Sequence, residues 1–308
     1  MSKVMVSVFC LAHNHEKYIR NTLESFVAQK TTFEFEVLVH DDASTDGTAG
    51  IIREYAEKYP TLIRPVYQTE NQYSKGVKIT SAILLPMAKG KYIAFCEGDD
   101  YWPDHEKLQK QFVFMEEHPA YSICTSRALK HWCTPGGTDS IGPAQDQSRD
   151  YSLADIASRE HFFAWASVFT RTELFRDIPE CFCAKTCGDI PYLFYAAIAG
   201  KFHCLQDVTT VYNYRTESSF TRAFFNDHAK KIAHNRDIID MLHRVDAYYK
   251  YQYTDELSQA IRYHEYHLYK HTGEWDRISG EGYQIPRERD LRRLEQLKKP
   301  NDLTDLKT

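Results

Sequence analysis

Residues 4–29, VMVSVFCLAHNHEKYIRNTLESFVAQ, set the fold class. Val4 to Leu11 is an unbroken apolar run, the pattern of a strand covered on both faces. It ends in the polar turn Ala12-His13-Asn14-His15, and from Glu16 to Gln29 the residues Ile19, Leu23, Phe26 and Val27 share one helical face. The alternation continues. Glu36 to Val39 reads as a second strand, and Asp46 to Tyr59 as a helix with Ile51, Ile52, Tyr55 and Tyr59 inward and Pro60 as its stop. Leu62 to Gln68 is a third strand, Val77 to Ala88 a helix disturbed by Pro86, and Tyr92 to Cys96 a fourth strand. Asp104 to His118 is a helix capped by Asp104, with Leu108, Phe112 and Met115 inward. Strands and helices in this order predict an α/β fold: a mostly parallel central sheet with helices on both faces.

Beyond residue 118 the pattern breaks. Residues 135–150, PGGTDSIGPAQDQSRD, read as a loop. A strand near Phe163 to Thr170, a helix from Asp189 to Ala199 and paired strands from Lys201 to Tyr214 follow. From about Ala223 the chain is helical, polar and rich in Tyr and His. A boundary near residue 220 is expected to divide an α/β domain, 1–220, from a C-terminal helical extension, 221–308. Its end, residues 287–300, reads as a solvated helix, with contact to a membrane surface as the sharper alternative.

Composition narrows the classes. Aromatic residues make up 14% of the 308 positions, which excludes a disordered chain. With 38 Lys and Arg against 43 Asp and Glu the protein lacks the basic footprint of a nucleic-acid binder. No apolar run approaches the ~18 residues of a membrane span, and the N-terminal apolar stretch reads as a strand rather than a signal peptide. The eight Cys are scattered, which fits a reduced, cytoplasmic compartment, with a peripheral place at the inner membrane face as the other option. Cys181, Cys183 and Cys187, with His203 and Cys204, lack the paired knuckles of a zinc site and read as loop or buried thiols.

In open α/β sheets ligands sit beyond the carboxyl ends of the strands. Strand two is followed by His40-Asp41-Asp42-Ala43-Ser44-Thr45-Asp46-Gly47-Thr48, and strand four by Glu97-Gly98-Asp99-Asp100-Tyr101-Trp102. Each could be a solvated or helix-capping turn by itself. Two acidic clusters at one sheet edge are costly unless a cation offsets them, since neighbouring carboxylates disfavour each other's ionisation. Hard oxygen ligands suit Mg²⁺ or Mn²⁺, shared with the phosphates of a diphosphate ligand.

Four blocks carry a resemblance: Val6 to Gln29, FEVLVHDDASTDGT (35–48), AKGKYIAFCEGDDYW (88–102) and GDIPYLFYAAIAGKFHCL (188–205). In order and spacing, over about residues 4–215, the chain resembles the family 2 glycosyltransferases of GT-A fold. The resemblance implies a Rossmann-like sheet with a nucleotide-sugar half, about 1–102, and an acceptor half, about 103–220. It implies transfer of a sugar, with inversion, from a nucleotide donor, a UDP-sugar, to an acceptor hydroxyl of a glycan or lipid-linked glycan. Short relatives of this kind build bacterial surface polysaccharides.

The same resemblance assigns residues. Ala12, His13, Asn14 and Asp41 fall where the family holds the nucleotide base, and Glu16 faces the nucleoside. Lys75 falls where a basic residue approaches the nucleotide, with Lys78 as its competitor. Glu97-Gly98-Asp99 stands for the D-x-D motif, with Asp99 on the Mn²⁺ or Mg²⁺ ion and either Glu97 or Asp100 on the ribose. Gly188-Asp189 matches the position of the general base; an N-cap has the same signature. His161 and Trp165 border the acceptor side, or simply pack beneath the loop. The aromatic C-terminal helices are expected to dock near the acceptor side or to form a homodimer contact. Two other classes stay open: a sugar nucleotidyltransferase, although the first turn lacks that class's glycine-rich loop, and a non-catalytic nucleotide-sugar binding module.

Overall fold

The apolar run of residues 4–11 becomes β1 (Val4–Ala12), near the middle of the sheet. The computed structural model describes residues 3–217, 219, 222, 224, 227–284 and 286–288; the expected boundary residue 220 and nearly all of the expected helix at 287–300 lie outside them. After β1 come α1 (Ile19–Val27), β2 (Glu34–Asp41), α2 (Thr48–Lys58), β3 (Ile63–Tyr67), β4 (Tyr92–Phe95) and α3 (Lys107–Glu117). The second half adds β5 (Tyr121–Trp132), β6 (Ser140–Gly142), β7 (Arg149–Tyr151), α4 (Leu153–Ser158), β8 (Phe169–Arg171), α5 (Thr172–Arg176), α6 (Asp189–Ala199), β9 (Lys201–Tyr214), α7 (His228–Tyr248) and α8 (Thr254–Thr272). Among the described residues one sheet runs in the order β3-β2-β1-β4-β8-β5-β9-β7, with β6 paired to β5. The pairs among β1, β2, β3 and β4 are parallel, as is β5 with β9, while β8 runs antiparallel between β4 and β5.

Both faces of β1 are covered, as its apolar run requires. Val6, Val8 and Cys10 face Ile19, Leu23, Phe26, Leu108 and Met115 of α1 and α3. Phe9 faces the other way, into a cluster with Ile93, Phe95 and the α6 residues Tyr192, Phe194 and Ala196. Ile238, Met241, Leu242 and Val245 of α7 and Leu257 and Ala260 of α8 belong to that same cluster and are fully buried. The C-terminal helices therefore complete the layer on this face of the sheet.

Several local expectations are corrected. Residues 77–88 form no regular helix: a π-type turn, Thr80–Leu84, runs into a 3₁₀ turn, Leu85–Met87, where Pro86 supplies no N–H. The long strand β5 carries no apolar alternation that reveals it. Buried hydroxyls occupy its inward positions and find partners there: Ser122 Oγ donates to Ala196 O at 2.6 Å and Ser126 Oγ meets Thr209 Oγ1 at 2.6 Å. Residues 163–170 hold a 3₁₀ turn, Trp165–Ser167, before the short β8. Residues 201–214 are one strand, β9, rather than a pair, and the stretch 135–150 contains β6 and enters β7. Asp104 lies ahead of α3, where its carboxylate accepts from Glu106 N–H at 2.8 Å and from Lys110 Nζ at 2.7 Å.

Lys107, the first residue of α3, is fully buried. Its ammonium donates to Gln111 Oε1 at 2.6 Å and lies 4.3 Å from the centre of the Trp102 ring. Burial pushes it down to about 7. An unfolded lysine titrates near about 10.4, so the folded chain binds fewer protons across that window and gains stability as pH rises through it. Urea unfolding of the native chain and of Lys107→Met, at about pH 7 and about pH 9, is expected to show the difference shifting in favour of the native chain at the higher pH. A difference that does not change with pH contradicts this. The shared core makes a second test. Met241→Ala is expected to lower the stability of the whole chain by about 2–5 kcal/mol in a single transition; a main transition that ignores the substitution contradicts the shared core.

Candidate functional site

The parallel pairing of β1 with β2 sets Ala12 beside Asp41, and β4 ends on the other side of β1. The three polar turns that follow these strands therefore meet at one edge. Asn14 adopts a left-handed conformation (φ 56°), which brings its N–H to Ser44 Oγ at 2.9 Å and its Oδ1 to Thr45 N–H at 2.8 Å. His13 Nδ1–H donates to Asp42 O at 2.8 Å. Glu16 is exposed, and its carboxylate accepts from Gly47 N–H at 3.1 Å. These bonds fasten the first turn to the second.

Asp41 and Asp42 do different things. Both Asp42 oxygens are taken, by Gln72 N–H at 2.7 Å and Tyr73 N–H at 3.0 Å, so this residue anchors the loop after β3. Asp41 is 3% exposed, and its Oδ1 is buried without a hydrogen-bond partner. A buried carboxylate oxygen left open at a sheet edge is an acceptor waiting for a ligand donor. Lys75 is exposed and paired with Glu70 on its own loop. Lys78 instead donates to Ala184 O at 2.5 Å, tying this loop to the segment ahead of α6.

The turn after β4 is the most constrained. Gly98 passes so close to β1 and α1 that a Cβ would lie 2.8 Å from His15 Nδ1 and 3.0 Å from Ala12 Cβ. Thr22 Oγ1 donates to the Gly98 and Asp100 carbonyls at 3.0 and 2.6 Å. Asp100 is 1% exposed and its carboxylate accepts from Asn213 N–H at 2.8 Å. Burial, then the Asp99 and Glu97 carboxylates, holds its carboxyl well above the usual range. Its side chain thus joins β4 to β9 and is turned inward. Asp99 Oδ2 accepts from Thr216 Oγ1 at 2.7 Å and lies 3.8 Å from His15 Nε2. Burial and then Asp99 and Asp189 push the half-buried Glu97 up to about 8. His15 belongs to the turn after β1 that the sequence pointed to, whereas Thr22, Asn213 and Thr216 carry no motif of their own and were not singled out as part of this edge.

Among the described residues no three His, Cys, Asp or Glu side chains form a closed metal cage. The donor set nonetheless fits a hard divalent cation, which takes one or two carboxylates and completes its shell with water and substrate phosphates. Burial and the neighbouring carboxylates raise Glu97, and a cation bound here would offset that cost.

Asp189 opens α6 yet does not cap it. The capping position is Gly188, which makes no side-chain bond, and the Asp189 side chain is exposed with no hydrogen bond among the described residues. Its charge acts on Glu97, so it lies within electrostatic reach of the turn after β4. His161 and Trp165 are not gathered here by hydrogen bonds. His161 packs on Tyr151 and Phe163 and approaches Asp155. Trp165 packs on Phe95 and Tyr192. The thiols stay free: His203, the histidine of the rejected zinc set, bonds Asp150 at 2.7 Å. A surface hollow of about 450 Å³ along α3, lined by Lys110, Phe114 and Asp207, contains none of the site residues.

Comparison with known proteins bears on the family and the fold. The curated protein Rv1520 of Mycobacterium tuberculosis, described as uncharacterized, is 35% identical over 211 residues, 67% of this chain and 58% of its own length. The chain thus spans well under two thirds of that relative. The putative teichuronic acid biosynthesis glycosyltransferase TuaG of Bacillus subtilis is 38% identical over 203 residues, 58% of this chain and 77% of its own. The crystal structure of S. aureus TarS 1-349 in complex with UDP-GlcNAc matches with a TM-score of 0.55 over 96% of this chain and 90% of that one, at 20% identity, a likeness of fold. The model of the family described as "Glycosyl transferase family 2" matches residues 7–177, more than half of the sequence, and the chain belongs to that family.

Proposed function

We propose that this glycosyltransferase moves a sugar, with inversion, from a UDP-sugar to an acceptor hydroxyl, in the synthesis of a bacterial surface polysaccharide. The observation that carries the reading is an exposed and uncapped Asp189 whose charge reaches Glu97, in the same turn after β4 as Asp99. The names of TuaG and of the UDP-GlcNAc complex of TarS support the donor and the product class.

Each residue takes a role from its surroundings. The open Asp41 Oδ1 accepts an N–H of the base, while Ala12, His13 and Asn14 shape the wall beside it. Asp99, with Glu97 beside it, would hold a Mn²⁺ or Mg²⁺ ion, which supplies charge neutralisation for the departing diphosphate. Inversion requires a base on the face opposite the leaving group, and Asp189 takes the acceptor proton there. The division into a donor half, an acceptor half and a helical extension is part of the same proposal.

Three variants test it. Asp189→Asn keeps shape and removes the base, so UDP release from UDP-glucose or UDP-N-acetylglucosamine is expected to fall by about 10²–10⁴-fold with UDP affinity unchanged. A fall of less than about tenfold contradicts the base assignment. Asp99→Ala, or chelation with EDTA, is expected to abolish turnover and weaken UDP binding; full activity in EDTA contradicts the metal. Asp41→Ala is expected to weaken UDP by about 1–3 kcal/mol, the cost of a lost hydrogen bond to a charged group, and unchanged UDP affinity contradicts that contact.

A further inference from the structure

Behind Asp189 three elements bring together basic groups that no part of the donor site uses. Arg159 ends α4 in a left-handed conformation (φ 58°), a position that glycine or asparagine fills more easily. Its Nε is buried without a partner, and among the described residues no carboxylate pairs with its guanidinium. His264 of α8 is 2% exposed; its Nδ1–H donates to Asn235 Oδ1 at 2.9 Å and its Nε2 is buried without a partner. The ring of His234, on α7, lies 6.0 Å from that of His264. His234 bonds Thr186 Oγ1 at 3.0 Å, three residues before Asp189.

Arg159 Nε and His264 Nε2 are thus two buried nitrogens left without partners, and the Arg159 charge reaches both histidines. Asp237 turns one oxygen, Oδ2, to Thr186, accepting from its N–H and its Oγ1 at 2.8 Å each, and its charge also reaches His234. We propose that Arg159, His234 and His264 form an anion subsite beside Asp189 that takes a phosphoryl group of the acceptor. Donors from three elements suit the several oxygens of a phosphoryl group better than the flat pair of a carboxylate, and a guanidinium binds phosphate in a bidentate manner.

The charges around the subsite set its pH behaviour. Burial lowers both imidazoles, and the Arg159 charge lowers them further, while Asp189 and Asp237 oppose this at His234. His267 on α8 adds to the lowering at His264, and Cys187, between Thr186 and Asp189, feels the same Arg159 charge. With Nδ1–H already donated, each ring meets an anion by taking a proton on Nε2. Phosphate binding therefore draws protons in and strengthens as pH falls. The subsite rests on the reading of Asp189 as the acceptor-side base.

The test is calorimetric titration of inorganic phosphate into the full chain, with the donor site already saturated by UDP and Mg²⁺. Saturable binding that tightens from about pH 8 to about pH 6 is expected, with Arg159→Gln weakening it by at least about tenfold and Arg159→Lys by less. His264→Asn keeps the bond to Asn235, removes Nε2 and is expected to flatten the pH dependence. UDP affinity and melting temperature report whether each variant is folded. No saturation by phosphate, equal binding by Arg159→Gln, or tighter binding of glucuronate than of phosphate at the same residues overturns the proposal. Failure of UDP itself to bind instead overturns the glycosyltransferase reading, and the two failures are separate measurements.

Discussion

Three carboxyl groups within four residues, Glu97, Asp99 and Asp100, must coexist at the end of β4, and much of the architecture serves to hold them. Two of them are held from different directions. Asn213 N–H at the end of β9 reaches Asp100, Thr216 beyond it reaches Asp99, and Thr22 of α1 gathers the intervening carbonyls. Gly98 is needed because β1 and α1 press against the turn from below. The parallel strands deliver the turn, and the far strand β9 locks it, so the donor edge depends on both halves of the sheet.

The segment leading into α6 depends on the C-terminal helices in a comparable way. Thr186 is bonded to His234 and Asp237 of α7, Cys183 O accepts from Arg244 of the same helix at 2.7 Å, and Ala184 O accepts from Lys78. The segment that leads into Asp189 is thus staked between the donor loop and α7. Since α7 and α8 share a core with α6 and the sheet, their burial and the placement of Asp189 are one structural fact.

The first half of the fold was legible because parallel strands buried on both faces are spelled as apolar runs, and the helices between them keep a clean period. β5 was not legible, since Ser122, Thr125 and Ser126 hide a buried strand behind polar letters whose partners lie 74 to 83 residues away in sequence. The acidic turns could be found from sequence because their charge is anomalous at a strand end. The difference between Asp41 and Asp42 could not, because adjacent identical residues point to opposite partners once the backbone turns. Arg159, His234 and His264 gave no signal for the same reason: three scattered residues meet only after α4, α7 and α8 pack.

The central claim is that the β4 turn binds a metal-linked diphosphate with Asp189 facing it from the acceptor side. Crystals grown with UDP and Mn²⁺ measure this directly, because anomalous scattering locates the ion without reference to the protein. The account predicts one Mn²⁺ peak between Asp99 and the diphosphate, the uracil at Asp41, and Asp189 across an open space the size of a sugar. A nucleotide lodged along α3, or a Mn²⁺ ion bound without Asp99, would contradict it.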